Sequence, residues 1–219
     1  PGLQDPVCRG GEMKRLLDIL FSFLGLILLS PLLILVAVFI VWEDGGPVFY
    51  RGQRIGLQGR PFFIFKFRTM VVDAEKKGGS STADEDPRIT RIGRRLRKYK
   101  LDELPQLINV LKGEMSIVGP RPEVKQYTDM YTEAEMVILS VRPGITDYAS
   151  IWNADEGAIL AGAADPEQAY ETLIRPKKLK LQIKYVKEQS LGVDMKIIFL
   201  TLLAIVRPGS PALDEIKGL

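Results

Sequence analysis

The hydrophobic pattern divides the chain into one long apolar run and a body of short mixed segments. No charged residue occurs from Ile19 to Trp42, a run of 24 residues. As a helix it extends about 36 Å, enough to cross a hydrocarbon core of about 30 Å. Ser30-Pro31 lies at its centre. Proline removes one backbone hydrogen bond and crowds the carbonyl of Ile27, so a kink or break is expected there, with halves of about 17 Å, each roughly half a bilayer. The Ser30 hydroxyl is able to satisfy a carbonyl near the break. Lys14 and Arg15 precede the run, and Arg51 and Arg54 follow it. Positive flanks on both sides favour a re-entrant helix with both ends in the cytoplasm. A straight span kinked at Pro31 is the alternative, and physics alone leaves the two open. A secretory signal fits less well, because the run is long, lacks a small-residue cleavage site and continues into a motif-rich body. Asp18 is expected to pair with a nearby arginine rather than face lipid.

Beyond this run, turn signals at Gly45-Gly46-Pro47 and alternating aromatics in Phe62-Phe63-Ile64-Phe65-Lys66-Phe67-Arg68 predict two short strands or a hairpin. Alternation places Lys66 and Arg68 on one strand face. Residues 71–87 are mostly polar, with a Gly/Ser cluster, and read as a loop. Ile89, Ile92, Leu96 and Tyr99 recur at helical spacing among seven Arg and Lys residues, which predicts a basic amphipathic helix over 88–100 suited to anionic lipid or phosphates. Asp102 is placed to cap the next helix, which stops at Gly113. Pro143-Gly144 predicts a turn. Residues 154–190 read as largely helical, with breaks at Pro166 and Pro176. Met195 to Val206 is apolar but too short to span, and fits an interfacial or core helix.

Composition narrows the chemistry. The chain has 219 residues, 26% of them charged, and a net charge of +3. That excludes a disordered tail and a general polyanion binder, and no base-reading motif accompanies the basic helix, so nucleic acid is not an expected partner. There is no histidine, which removes the commonest general base and metal ligand. Cys8 is the only cysteine, so a disulfide framework or cysteine nucleophile is not expected. Residues 1–12 lack an initiator methionine and periodicity, and read as an added or disordered leader before a natural start at Met13. Carboxylate, Lys, Arg, hydroxyl and recruited metal remain.

Two segments concentrate those groups. The first is Lys100-Leu101-Asp102-Glu103-Leu104-Pro105-Gln106-Leu107, and the second is Ser116-Ile117-Val118-Gly119-Pro120-Arg121-Pro122. A carboxylate at a helix N-terminus is expected to stay ionised, so Asp102 is a candidate nucleophile toward phosphorus. Cations must then offset the repulsion between anions. Arg121, stiffened by Pro120 and Pro122, can present a preorganised guanidinium fork to phosphate. A hard divalent ion such as Mg2+ would add to it, while Lys66 and Arg68, read alone, are a solvated strand face over a phenylalanine core. Read singly, Asp-Glu is a capping pair and Pro-Arg-Pro a stiff surface loop.

Their ordered combination changes that reading. Lys14-Arg15, Asp18, the run broken at Ser30-Pro31, Lys66 to Met70, Leu101 to Leu107, Asn109 to Gly113, Ser116 to Pro122 and Arg142-Pro143-Gly144-Ile145-Thr146 follow one another over 14–206. In this the chain resembles the small monotopic phosphoglycosyl transferases, the bacterial sugar transferase family, in its short form without additional N-terminal membrane helices.

The resemblance implies an α/β fold, mostly helical with a small sheet. Residues 13–43 would form the re-entrant membrane helix, 44–206 a catalytic domain on the cytosolic face of the bacterial cytoplasmic membrane, and 207–219 a C-terminal tail. It implies transfer of a sugar-1-phosphate from a UDP-sugar to polyprenol phosphate, with release of UMP and initiation of a glycoconjugate. Asp102 would be the nucleophile and a magnesium ligand, and Glu103 a positioning group or base. Pro120, Arg121 and Pro122 would form the phosphate- and nucleotide-contacting loop, with Lys66 beside it and Arg68 and Arg142 as further substrate-binding cations. Many members continue Gly-Trp-Ala-Gln after the Arg142 motif, where this chain has Asp147-Tyr148-Ala149-Ser150, and Trp152 to Glu171 is longer and more acidic. These departures leave the sugar open and do not touch the dyad. Anionic lipid is an expected partner, and no oligomeric state is implied. Two competing readings remain. A non-catalytic anionic-lipid-binding module would not need the Asp102 carboxylate, and a phosphatase or nucleotide hydrolase would release product to water without a lipid acceptor.

Overall fold

The computed structural model describes residues 11–74, 86–154, 159–160, 165–207 and 210–218. Most of the leader, the Gly/Ser cluster and parts of 154–171 lie outside the described residues. Helix α1 spans Gly11–Asp44, and strands β1 (Phe49–Ile55) and β2 (Pro61–Phe67) form an antiparallel hairpin, as the aromatic alternation predicts. Next come α2 (Arg91–Lys98), α3 (Gln106–Lys112), β3 (Ser116–Val118) and the short α4 (Lys125–Thr128). Strand β4 (Gly144–Thr146), α5 (Tyr148–Trp152), α6 (Pro166–Ala169), α7 (Arg175–Glu188), α8 (Leu191–Val206) and α9 (Asp214–Lys217) complete the order. Among the described residues the fold is mostly helical with two small sheets.

Helix α1 remains helical through Pro31. Proline there denies the Ile27 carbonyl its amide partner, and the Ser30 hydroxyl donates to that same carbonyl at 2.8 Å. One face of α1 is sheltered at Asp18, Ser22, Val36 and Ile40, a repeat close to seven residues that lays the helix along the body. The other face exposes Leu20, Phe23, Leu28, Ile34, Val38 and Trp42. By length and composition α1 is able to cross a membrane.

Both ends of α1 are tied to the body. Lys14 Nζ donates to Asp194 Oδ2 at 2.5 Å and to the Val118 carbonyl at 2.9 Å. Arg15 donates to the Val110 and Leu111 carbonyls at the C-terminus of α3, at 2.6 and 3.1 Å. Asp18 is buried, but its partner is the Ile117 backbone amide at 3.0 Å rather than the expected arginine, because Arg15 is committed to α3. At the other end, Glu43 accepts from the Arg91 amide at 2.8 Å at the start of α2, where anionic charge meets free amides. Val36 and Ile40 pack with Phe67 and Leu96.

The predicted basic helix is shorter than 88–100. Thr90 caps it by accepting from the Gly93 amide at 2.9 Å, Ile89 bridges to Met70, and Tyr99 is exposed. Arg91, Arg94, Arg95, Lys98 and Lys100 are exposed. The predicted Pro143-Gly144 turn is instead the start of β4, which pairs in parallel with β3. Glycine is required there for close approach, since a Cβ on Gly144 would collide with the Gly119 backbone, and one on Gly119 with the Arg142 carbonyl. Pro176 does not end a helix: α6 continues through a π-helical turn, Tyr170–Ile174, into α7, and Pro176 stands in the first turn of α7 where the hydrogen-bond register changes. Helix α8 packs Ile197 and Leu200 against Tyr148, Ile151, Leu181 and Tyr185. Its other side exposes Met195, Phe199, Leu202 and Ile205, so it is at once a core helix and an apolar surface. Leu213 and Ile216 are buried in that same core.

Candidate active site

Three elements converge on Glu103. A left-handed Lys100 (φ 54°) turns the chain out of α2 into a single 3₁₀ turn, Leu101–Glu103. Strand β2 supplies Lys66, whose Nζ donates to Glu103 Oε1 at 3.0 Å. The loop after β3 supplies Arg121, whose Nη1 donates to Glu103 Oε2 at 2.9 Å, with Nη2 on Oε1. The fork is bidentate, so both carboxylate oxygens of Glu103 are engaged.

Asp102 differs from its neighbour. It is buried, and its Oδ1 has no hydrogen-bond partner among the described residues. The expected capping role is not found, because α3 begins only at Gln106, with Pro105 at its N-cap position and no side-chain cap. Burial raises the Asp102 carboxyl above the usual aspartate range, and the Glu103 charge adds to this, while Lys66, Arg97 and Arg121 pull the other way. Burial also opposes ionisation of Glu103, but Arg121 and Lys66 overcome it and hold that carboxyl well below its ordinary value. Lys66 is itself lowered by burial, with Glu103 opposing. The dyad thus combines a firmly ionised, fully partnered Glu103 with a desolvated Asp102 that has an oxygen to spare. That oxygen fits a hard divalent cation such as magnesium, which takes one or two protein carboxylates and completes its shell with phosphate and water.

The remaining predicted cations lie elsewhere. Strand β2 ends at Phe67, and Arg68 turns to Asp44 at the end of α1, with Nη1 at 2.6 Å from Oδ2 and further bonds to the Pro47 and Met70 carbonyls at 2.7 and 3.0 Å. Arg142 Nε donates to the Gly113 carbonyl at 3.1 Å, on the α3 side. Ser30 and Pro31 sit mid-helix in α1, apart from the dyad in sequence and element.

Several supports of the site carried no role in the sequence reading. Asn109, fully buried, accepts from the Phe65 amide at 2.8 Å and donates to the Phe63 carbonyl at 2.8 Å, which fixes β2 and hence Lys66 on α3. Asp147, also fully buried, accepts from the Ser150 amide at 2.6 Å and from the Arg121 amide at 3.3 Å. It therefore holds the Pro-Arg-Pro backbone while capping α5. Gln182 Nε2 donates to the Arg121 carbonyl at 3.3 Å. Behind the loop, Lys178 pairs with Glu123 at 2.5 Å, and the Tyr170 hydroxyl donates to Glu123 at 3.0 Å. The only sequence signal for these groups is a polar side chain inside an otherwise apolar segment, clearest for Asn109. A cleft beside the loop is lined by Pro120, Arg121, Pro122, Tyr131, Ile138 and Pro143.

Comparison with known proteins gives this arrangement a lineage. The family model described as bacterial sugar transferase matches residues 10–208. A putative undecaprenyl-phosphate N-acetylgalactosaminyl 1-phosphate transferase of Bacillus subtilis is 43% identical over 129 residues, covering 59% of this chain and 72% of that protein. The exopolysaccharide production protein ExoY of Sinorhizobium fredii is 37% identical over 211 residues, covering 90% of this chain and 86% of that protein. The UDP-glucose:undecaprenyl-phosphate glucose-1-phosphate transferase of Escherichia coli is 38% identical over 190 residues, covering 87% of this chain but only 39% of that longer enzyme. With the dyad, its cations and the paired Gly119 and Gly144 segments all inside the matched region, the chain belongs to the bacterial sugar transferase family.

Proposed function

We propose that the chain is a monotopic phosphoglycosyl transferase that moves a sugar-1-phosphate from a UDP-sugar to polyprenol phosphate at the cytosolic face of the bacterial cytoplasmic membrane. The observation that carries this reading is the buried Asp102, with one oxygen lacking a partner among the described residues, beside a Glu103 clamped by Lys66 and Arg121. Relatives named as transferring sugar-1-phosphate to undecaprenyl phosphate support it.

In the first step the Asp102 carboxylate attacks the phosphorus that bears the sugar. An Asp–O–P bond forms, the diphosphate P–O bond breaks, and UMP leaves with the electron pair. In the second step a phosphate oxygen of polyprenol phosphate attacks the same phosphorus, and Asp102 leaves. No electrons are gained or lost overall. Covalent catalysis lets a water-soluble donor and a lipid acceptor use one site in turn.

Burial favours this chemistry, because a poorly solvated carboxylate is the stronger nucleophile once ionised, and Lys66, Arg97 and Arg121 supply the local positive potential. Glu103 holds Lys66 and Arg121 in place, and Arg121, the more exposed of the two, faces the donor diphosphate. A magnesium-class ion held by Asp102 would, when bound, withdraw charge from the diphosphate oxygens.

The membrane geometry follows from α1 and α8. Both ends of α1 are anchored to one catalytic body, which supports placing both on the cytosolic side; a re-entrant course would require α1, continuous through Pro31, to bend at Ser30-Pro31 in lipid. The exposed side of α8 and the basic face of α2 would rest on the interface and its anionic lipid.

The test is UMP release by nanodisc-held protein against a panel of UDP-sugars, with polyprenol phosphate and magnesium, beside Asp102→Asn. Release is expected for a restricted set of sugars, to need the acceptor for sustained turnover, and to disappear in Asp102→Asn. Sustained release without acceptor would point to a hydrolase. Undiminished release by Asp102→Asn would remove Asp102 as nucleophile.

A further inference from the structure

We propose that the side-chain carbonyl of Gln106 is the second protein ligand, with Asp102, of a divalent cation of the magnesium class. The inference rests on the reading above that Asp102 holds the ion, and adds a residue to it. Gln106 is 1% exposed, and neither its Oε1 nor its Nε2 has a hydrogen-bond partner among the described residues. An amide with both ends unpaired in a protein interior is costly and uncommon. Asp102 Oδ1, four residues earlier, is unpaired in the same way.

The two groups lie on successive turns of one helical ribbon. Asp102 is in the 3₁₀ turn, Leu104 and Pro105 have right-handed helical dihedrals, and Gln106 opens α3. Side chains at this separation are neighbours on a helix surface. They do not bond to each other, so the pair points to a bridging species that satisfies both. A carboxylate oxygen and an amide carbonyl are both hard oxygen ligands of the kind calcium, magnesium and manganese select.

The surroundings restrict the alternatives. Glu103 cannot ligate without releasing Lys66 or Arg121, since both its oxygens are engaged. Lys66, Arg97 and Arg121 act electrostatically on Asp102, so a dication meets repulsion unless further negative charge arrives. The donor diphosphate supplies that charge, and cation binding should therefore depend on nucleotide. With Oε1 on the ion, Nε2 is left to donate to a phosphoryl oxygen.

The test is a manganese titration followed by electron paramagnetic resonance on the full chain in nanodiscs, with UDP present and the UDP-only signal subtracted. Gln106→Leu is expected to weaken manganese binding about tenfold or more, as loss of a supporting metal contact typically does. Gln106→Glu, which keeps an oxygen at that reach, is expected to retain binding. Asp102→Asn is expected to lose it, and omission of UDP to weaken it in the wild type. If Gln106→Leu does not fold, Gln106→Asn, whose carbonyl falls one methylene short, carries the same expectation. Wild-type binding by Gln106→Leu or Gln106→Asn with loss in Asp102→Asn would overturn the Gln106 assignment alone and leave a water as the bridging species. Undiminished binding in Asp102→Asn, or none in the wild type, would overturn the metal assignment itself.

Discussion

Asp102 and Glu103 are adjacent in the chain but opposite in the cost of their charge. Burial raises the Asp102 pKa above its ordinary 3.8, so the folded state holds a proton that the unfolded chain has released. Its contribution to stability is therefore present at low pH and lost as pH rises through the raised pKa. At neutral pH the ionised group is a liability, kept for chemistry. Asp102→Asn should abolish transfer and yet raise thermal stability at pH 7, by on the order of 1 kcal/mol. A lower melting temperature at pH 7 would contradict this account of the site. Glu103 has the reverse sign. Its pKa lies well below 4.5, so its stabilisation is present above that value and lost as pH falls toward the folded pKa. Glu103→Gln leaves Lys66 and Arg121 without their counter-charge and should cost about 3 kcal/mol, read from denaturant unfolding at neutral pH. The acid limb of activity should follow Asp102 and lie above the usual aspartate range, which a pH–rate profile would measure.

At the scale of elements, the two Gly-containing motifs are one structure. Ser116 to Gly119 and Gly144 to Thr146 pair in parallel, and the contact of Gly119 with Gly144 sets where Pro120-Arg121-Pro122 leaves the sheet. Gly144→Ala should separate the strands, lower stability by about 2 kcal/mol through overpacking, and reduce turnover by displacing Arg121. Hydrogen exchange at the Gly119 and Ser116 amides, which bond to the Thr146 and Pro143 carbonyls, would report the separation. Retained protection in Gly144→Ala would argue against the close approach as the reason for glycine. The hairpin, the Gly113 stop and the apolar α8 were legible in the sequence, because alternation, a left-handed cap and an uncharged run are local signals. The Pro143-Gly144 strand was not, since its reason is a neighbour 25 residues away. The capping role expected of Asp102 failed for a similar reason, because Lys100 closes α2 and inserts a separate turn before α3. Of the predicted cations, Lys66 and Arg121 meet at Glu103, whereas Arg68 and Arg142 serve α1 and α3. Strand alternation fixes a face only while the strand lasts, and β2 ends one residue before Arg68.

At the scale of the molecule, α1 is an anchor fastened at both ends. Lys14, Arg15 and Asp18 bind α3, β3 and α8, while Glu43 and Asp44 bind α2 and Arg68. Single cysteines at Met13 and Arg51, in a Cys8→Ser background, should therefore both react with an impermeant maleimide in inverted membrane vesicles and neither in intact spheroplasts. Labelling of the two positions from opposite sides would mean a span. Leu101, next to Asp102, packs against the Val36 and Ile40 cluster of α1, so the proposed membrane placement would bring Asp102 near the headgroup plane, where a lipid phosphate arrives. The central claim is that Asp102 becomes covalently bonded to the sugar phosphate. Intact-protein mass spectrometry after exposure to the active UDP-sugar, without lipid acceptor, tests it most directly. The account predicts an added mass of one sugar phosphate on the wild-type chain, located to Asp102 by peptide mapping, absent from Asp102→Asn and discharged by polyprenol phosphate. Turnover of the same sugar with no such adduct, or an adduct that persists in Asp102→Asn, would contradict it.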